Sequence, residues 1–322
     1  MKCRFDGSEL SHVFVDLATA PLSNSFVSEG GLVSAEMYVP LKLYVNPSNW
    51  LVQVNDYSAE AIFGDDYVYY SSYSKSWLQH AESYVGMAIE RLGLGRDSMV
   101  AEIAANDGYL LRYFHDGGVP CYGVEPSTGP ARVARDLGID MVEEFFGASL
   151  ARELASTRPA DLIVANNVLA HVPDVGDFLG GLGILLKPDG VITMEFPHLM
   201  ELVQYNQFDT IYHEHLFYYS LTAVQHMAQA RGLSLFDVER LSTHGGSLRV
   251  WLQRSAGRYA VSERVPDLLR TEQDRGMESL DYYLGFQERV DEAKSETLTF
   301  LMEARRHGKS IVAYGAAAKG NT

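Results

Sequence analysis

Short apolar runs bounded by turn residues alternate with stretches of helical periodicity through the middle of the chain, and the alternation predicts a parallel α/β sheet. Residues 99–103 read as a buried strand, followed by the small-residue turn Ala104-Ala105-Asn106-Asp107-Gly108 and a helix over 109–114. A Gly117-Gly118 break leads into a second strand over 121–124, which ends on Glu125-Pro126. Residues 161–167 predict a third parallel strand. A helix over 178–186 and a turn over 187–190 then lead to a strand over 191–196. A helix over 221–231 and strands over 233–238 and 247–252 complete one α/β domain, placed at 96–256.

The flanks are patterned differently. Residues 1–57 form a small strand-rich domain, with strands over 41–45 and 51–54 around the turn Asn46-Pro47-Ser48-Asn49. Residues 58–95 are a connector, tyrosine-rich over 67–73 and then helical to Leu92, with Trp77, Ala81, Tyr84, Val85 and Ala88 at helical spacing before Gly93. The tyrosines suit either a packing cluster under a loop or the lining of a site that hydrogen-bonds a polar substrate. Beyond 257, a charged helix is predicted over 273–306, then a strand over 311–314 and a turn over 315–318. This last piece looks like the opening of a second Rossmann-like unit, expected to be a partial, truncated domain.

Composition narrows the class. The 322 residues suggest about two domains, and 47% hydrophobic content suffices for a large core. No apolar run reaches the roughly 18 residues of a membrane helix, and the N-terminus lacks a signal-peptide pattern. Two cysteines, Cys3 and Cys121, fit a reducing cytoplasm rather than a disulfide framework. A formal charge of −16 speaks against nucleic acid as a partner.

The 98–127 stretch carries the first chemistry. A strand, a tight turn and a helix bring backbone N–H groups close to a ligand, and an acid about twenty residues on can accept both ribose hydroxyls. Glu125 is that acid. A dinucleotide fingerprint needs three glycines against the pyrophosphate, whereas only Gly108 stands in this loop and Glu102 sits inside the strand. An acid there repels a pyrophosphate and suits a cationic sulfonium and amino group. The expected cofactor is S-adenosylmethionine rather than NAD, bound by Glu102, Asn106, Gly108, Glu125 and Pro126, with Asn166 and Asn167 beyond the third strand.

Several motifs in one order carry a family resemblance. They are Ser71-Ser72-Tyr73-Ser74-Lys75-Ser76-Trp77, the 102–111 loop, Val124-Glu125-Pro126, Asn166-Asn167-Val168-Leu169-Ala170-His171, Met194-Glu195-Phe196-Pro197-His198, Tyr212-His213-Glu214-His215, Thr243-His244-Gly245-Gly246-Ser247-Leu248-Arg249 and the 314–321 turn. The chain resembles the SAM-dependent C-methyltransferases of deoxysugar and antibiotic biosynthesis, which act on nucleotide-linked 4-keto sugars. The resemblance implies an N-terminal zinc-binding domain, a central class I methyltransferase domain and a C-terminal domain that holds the nucleotide. It makes His215 the base that removes an α-proton, with Glu214, Tyr212 and His171 as a polar shell and Tyr73 as a further tyrosine.

Two departures stand out. The zinc positions of the family fall on Cys3, Asp6, Asn46 and Asn49, which leaves one thiolate of four, so no zinc is expected. The C-terminal domain is nearly absent from the sequence. A metal alternative in which His213 and His215 share a strand face lacks a third ligand. His198 and His244, in loops, are further candidates to face substrate. The remaining alternatives are O-methylation of another polar natural product and a non-catalytic homologue that binds SAM or a partner.

Overall fold

The computed structural model describes residues 1–23, 27–55 and 70–313. The expected tyrosines 67–69 and the turn at 314–322 lie outside the described residues.

Two sheets organise the chain. The first is antiparallel, ordered β1 (His12–Ala20), β2 (Val39–Val45), β3 (Val52–Val54) and β9 (Phe217–Tyr218). Its fourth strand comes from far along the chain, just after Tyr212-His213-Glu214-His215, so the sheet spans two of the sequence blocks.

The second sheet has seven strands in the order β10 (Leu233–Leu241), β11 (Ser247–Arg254), β8 (Leu186–Pro197), β7 (Ala160–Asn166), β4 (Val100–Ile103), β5 (Cys121–Val124), β6 (Asp140–Val142). The five strands from β8 to β6 are parallel, and β11 runs antiparallel to both its neighbours. Chain progression runs outward one way from β4 to β6 and the other way from β7 to β8. The order therefore reverses between β4 and β7, and open α/β sheets bind ligands beyond the strand ends at such a reversal. This is the class I methyltransferase fold.

Helices cover both faces. α1 (Lys75–Leu92), α2 (Leu111–Asp116) and α3 (Thr128–Asp136) bury Ala81, Tyr84, Leu111, Phe114 and Ala131 in one apolar cluster. α4 (Ala148–Thr157), α5 (Val175–Leu185), α6 (Leu199–Gln204) and α7 (Leu221–Ala230) lie in the other, which is continuous with the core of the N-terminal sheet. α1 starts where the Ser74 hydroxyl accepts the Trp77 N–H and stops at Gly93, whose φ of 64° needs no Cβ.

The predicted turn at 187–190 is instead the beginning of β8, which Leu186 opens by pairing with Ala160. The single long helix expected over 273–306 is three: α8 (Arg264–Asp274), α9 (Leu280–Leu284) and α10 (Phe286–Arg306). Gly276, at φ 85°, breaks the first from the second, since only glycine adopts that backbone freely. α9 and α10 turn back onto the N-terminal sheet: Phe14 stacks on Phe286 at 4.9 Å and Trp50 on Tyr283 at 5.7 Å. The strand expected at 311–314 is not formed over 311–313. Among the described residues no helix is long and apolar enough to cross a membrane.

Candidate active site

The turn after β4 is shaped by three left-handed residues, Ala104, Asn106 and Gly108, at φ 58°, 50° and 74°. A Cβ at Gly108 would lie 2.7 Å from Ile139 and 3.0 Å from Ala134, so the turn is held tight against α3 and the segment that follows it. Glu125, at the tip of β5, reaches back across the turn. Its carboxylate accepts the Asn106 N–H at 3.0 Å and the Ser127 N–H at 2.9 Å. Burial raises the Glu125 carboxyl, and the donors of Ser127 and Asn106 offset only part of that.

Glu102 is fully buried in β4, between Gly123 of β5 and Val164 of β7. Burial, with the charges of Asp107 and Glu125 beside it, pushes its carboxyl well above the usual range. Polar atoms without partners gather at the same strand ends: Glu102 Oε2, Asp107 Oδ1, Asn166 Oδ1 and Asn167 Nδ2 are all buried and unbonded. Unsatisfied buried polar atoms are costly, and here they sit at the sheet's reversal point. Three carboxylates with open acceptor capacity fit a ligand with ribose hydroxyls and a cationic amino acid end. These residues fit S-adenosylmethionine.

A second cluster lies where β7 leaves the sheet. The His171 and His215 rings meet edge to face with centroids 4.8 Å apart, and the Tyr212 ring lies 4.5 Å from His215. His171 Nδ1 is 2.9 Å from the Glu214 carbonyl oxygen. A carbonyl only accepts, so Nδ1 carries the proton and the lone pair of the neutral ring is on Nε2. The Tyr212 N–H donates to the Tyr218 hydroxyl at 3.0 Å, and the Leu216 N–H to the Ala170 carbonyl at 2.7 Å. The Leu216 and His171 bonds join the segment after β7 to the segment before β9.

Tyr212 to His215 form a turn rather than a strand, so His213 and His215 do not share a face. His213 is buried in the opposite direction, its Nε2 3.3 Å from the carbonyls of both Val39 and Pro40, and burial lowers its pKa. The two-histidine metal alternative fails on this geometry. The Glu214 side chain accepts the Ser23 hydroxyl, which ties the segment after β1 to the motif. No spacing rule could have paired residues so far apart.

Tyr73 is not brought to this cluster. It stands 82% exposed and stacks on Tyr70 at 5.4 Å. Its short turn docks on the cofactor loop instead: the Ser71 N–H donates to Asn106 Oδ1 at 2.9 Å and the Ser72 N–H to Asp107 Oδ2 at 3.1 Å. His198 is buried rather than facing a cleft, with Nε2 2.7 Å from Glu272 of α8. His244 lies 5.3 Å from the Trp77 ring, which also stacks on His80 at 4.9 Å. Behind them Glu195 accepts from Arg249 Nε at 2.7 Å and lies 2.8 Å from His80 Nε2. Burial alone would raise Glu195, but the His80 and Arg249 contacts outweigh it and hold the carboxyl below its usual value. Sequence reasoning missed this buried ion cluster, although Glu195 and Arg249 both sit in motifs that it singled out.

The comparisons agree with this architecture. A methyltransferase-domain family matches residues 77–238, a putative zinc binding domain family matches 3–63, and a C-methyltransferase C-terminal domain family matches 242–322. C-methyltransferase NovU of Streptomyces niveus is 30% identical over 321 residues, which is 99% of this chain and 76% of that protein. Solved structures with a related shape include magnesium protoporphyrin IX methyltransferase ChlM from Synechocystis PCC 6803 with bound SAM, 16% identical, covering 60% of this chain and 88% of that one at a TM-score of 0.42. The PH0226 protein from Pyrococcus horikoshii OT3 is 15% identical and covers 62% of this chain and 100% of that one at 0.46. The strand order, the match to NovU over nearly all of this chain and the three family matches in sequence establish that the chain belongs to the SAM-dependent C-methyltransferase family.

Proposed function

We propose that the enzyme methylates the carbon next to the ketone of a nucleotide-linked keto-deoxysugar, and that His215 is the base. The observation that carries this reading is the convergence of His215, His171 and Tyr212 beside the reversal point of the sheet. Carbon beside a ketone becomes nucleophilic only when a C–H bond breaks and its electron pair moves toward the carbonyl oxygen. His215 accepts that proton on a ring nitrogen, the part that imidazole most often plays as a general base. The Tyr212 hydroxyl donates to the developing enolate oxygen. His171, fixed by the Glu214 carbonyl, buttresses the His215 ring edge. When bound, S-adenosylmethionine supplies the methyl group; Glu125 would hold its ribose, and Glu102 and Asp107 its cationic end.

The test is turnover of isotope-labelled S-adenosylmethionine with a panel of nucleotide-linked keto sugars, followed by NMR of the product. A new carbon–carbon bond beside the ketone is expected. A methyl found on oxygen rules out the enolate, and binding without turnover across the panel favours a non-catalytic homologue.

A further inference from the structure

The N-terminal domain contains a further built cluster. Two turns face each other at the positions where the family places its metal ligands. In the first, the Gly7 N–H donates to the Cys3 carbonyl at 2.9 Å; in the second, the Trp50 N–H donates to the Asn46 carbonyl at 2.7 Å. Gly7 and Trp50 occupy equivalent places and share the left-handed backbone, at φ 74° and 59°. Trp50 adopts this conformation despite its Cβ, so the turn is held by what surrounds it.

The side chains inside the paired turns do not fit a zinc ion. Zinc needs lone pairs converging on one point, mainly from thiolate and imidazole. Here Asn46 and Asn49 turn their amide N–H groups inward, and both donate to Asp6 Oδ2 at 3.0 Å. Their oxygens face away: Asn46 Oδ1 accepts the Ser48 N–H and Asn49 Oδ1 the Leu51 N–H, each at 3.0 Å. Asp6 Oδ1 is taken by the Ser8 N–H at 2.9 Å and the Ser8 hydroxyl at 2.6 Å. Asn49 Nδ2 also lies 3.9 Å from Cys3 Sγ. Inward N–H donors would repel a cation.

We infer that the Asp6 carboxylate, bridged by the Asn46 and Asn49 amides, has replaced the metal as the cross-link between the two turns. An acceptor with two opposed donors makes the same connection that a metal makes with opposed thiolates, with hydrogen bonds instead of coordination. Cys3, Asn46 and Asn49 are buried and close the inner side of the bridge, while Asp6 is exposed on its outer side. The cross-link secures the β2–β3 hairpin to the N-terminus.

Thermal unfolding of the full chain with and without EDTA or added zinc tests the inference, together with metal analysis of the purified protein. Wild type should carry no stoichiometric zinc and show the same unfolding temperature in all three conditions. Asp6→Ala should lower that temperature by several degrees, and Asp6→Asn, which keeps the size and one acceptor oxygen but replaces the other with an NH2 donor and loses the charge, by less. A triple variant, Asp6→Cys with Asn46→Cys and Asn49→Cys beside the native Cys3, should take up about one zinc per chain and become sensitive to the chelator. If it misfolds without metal and recovers with zinc, that also supports the inference. Stoichiometric zinc in wild type, an unaltered unfolding temperature for Asp6→Ala, or a triple variant that binds no zinc overturns it.

Discussion

His171 holds His215 through a backbone atom of the residue that precedes it: its Nδ1–H donates to the Glu214 carbonyl at 2.9 Å while its ring meets the His215 ring at 72°. The proposed base is thus oriented by a group whose own tautomer is set. His215→Asn keeps polarity and approximate size but cannot accept a proton at neutral pH. Methyl transfer should fall by about 10²–10⁴-fold. SAM affinity measured by calorimetry should stay within about threefold, because the cofactor residues lie beyond β4 and β5. Wild-type turnover in the variant would move the base elsewhere.

Glu125→Ala should weaken SAM binding by at least about tenfold, since a charge-assisted bond to each ribose hydroxyl contributes about 1.5–3 kcal/mol. The variant also frees the N–H groups of Asn106 and Ser127, so part of the loss is loop order rather than direct contact. Titration calorimetry of both proteins checks this; equal affinities would remove Glu125 from the site.

Glu102 gives a pH dependence. Its folded carboxyl is raised above the ordinary 4.5, so its stabilising contribution is present below pH 4.5 and is lost as pH rises through the folded value. Glu102→Gln stays neutral throughout. The ligand-free variant should therefore unfold at a higher temperature than wild type at pH 7, with the gap closing toward pH 4.5, and should bind SAM more weakly. A gap that does not change with pH would contradict the assignment.

Glu272 should be costly to remove. It is fully buried and accepts from Leu221 N at 2.7 Å, Thr222 N at 2.8 Å and Thr222 Oγ1 at 2.6 Å, besides meeting His198. Burial would raise its carboxyl, but His198 and Thr222 outweigh it and hold it below the usual value. Breaking one side of such a pair costs about 3–5 kcal/mol. Glu272→Ala should show that loss in urea unfolding at pH 7. In wild type the contribution is present above pH 4.5 and lost as pH falls through the lowered folded value.

Most of the central sheet was legible because its strands are short apolar runs bounded by glycine, proline and asparagine, and because β4, its turn and Glu125 occupy about 25 consecutive residues. The edge strand β6 (Asp140–Val142) was missed because it is too short to carry a pattern. Proximity in sequence made proximity in space readable. β9 was not legible: two residues, Phe217 and Tyr218, carry no periodicity, and their partners are in β3. Turn residues misled at 187–190, where pairing with the neighbouring strand overrides local preference. The Ser23–Glu214 and His198–Glu272 bonds depend on tertiary folding alone. So does the opposite burial of His213 and His215, which a strand reading would place on one face.

The two-residue strand β9 has a consequence for how the molecule comes together. Its pairing with β3 makes the first sheet four-stranded, and that same pairing stretches the Tyr212–His215 turn between two independently patterned halves. A methyltransferase domain cut free of residues 1–55 would retain its seven strands yet leave one end of that turn unmoored. Chemistry would then vanish while cofactor affinity survived. On heating, catalytic competence should be lost ahead of the circular dichroism signal, because it depends on the short pairing of β9 with β3.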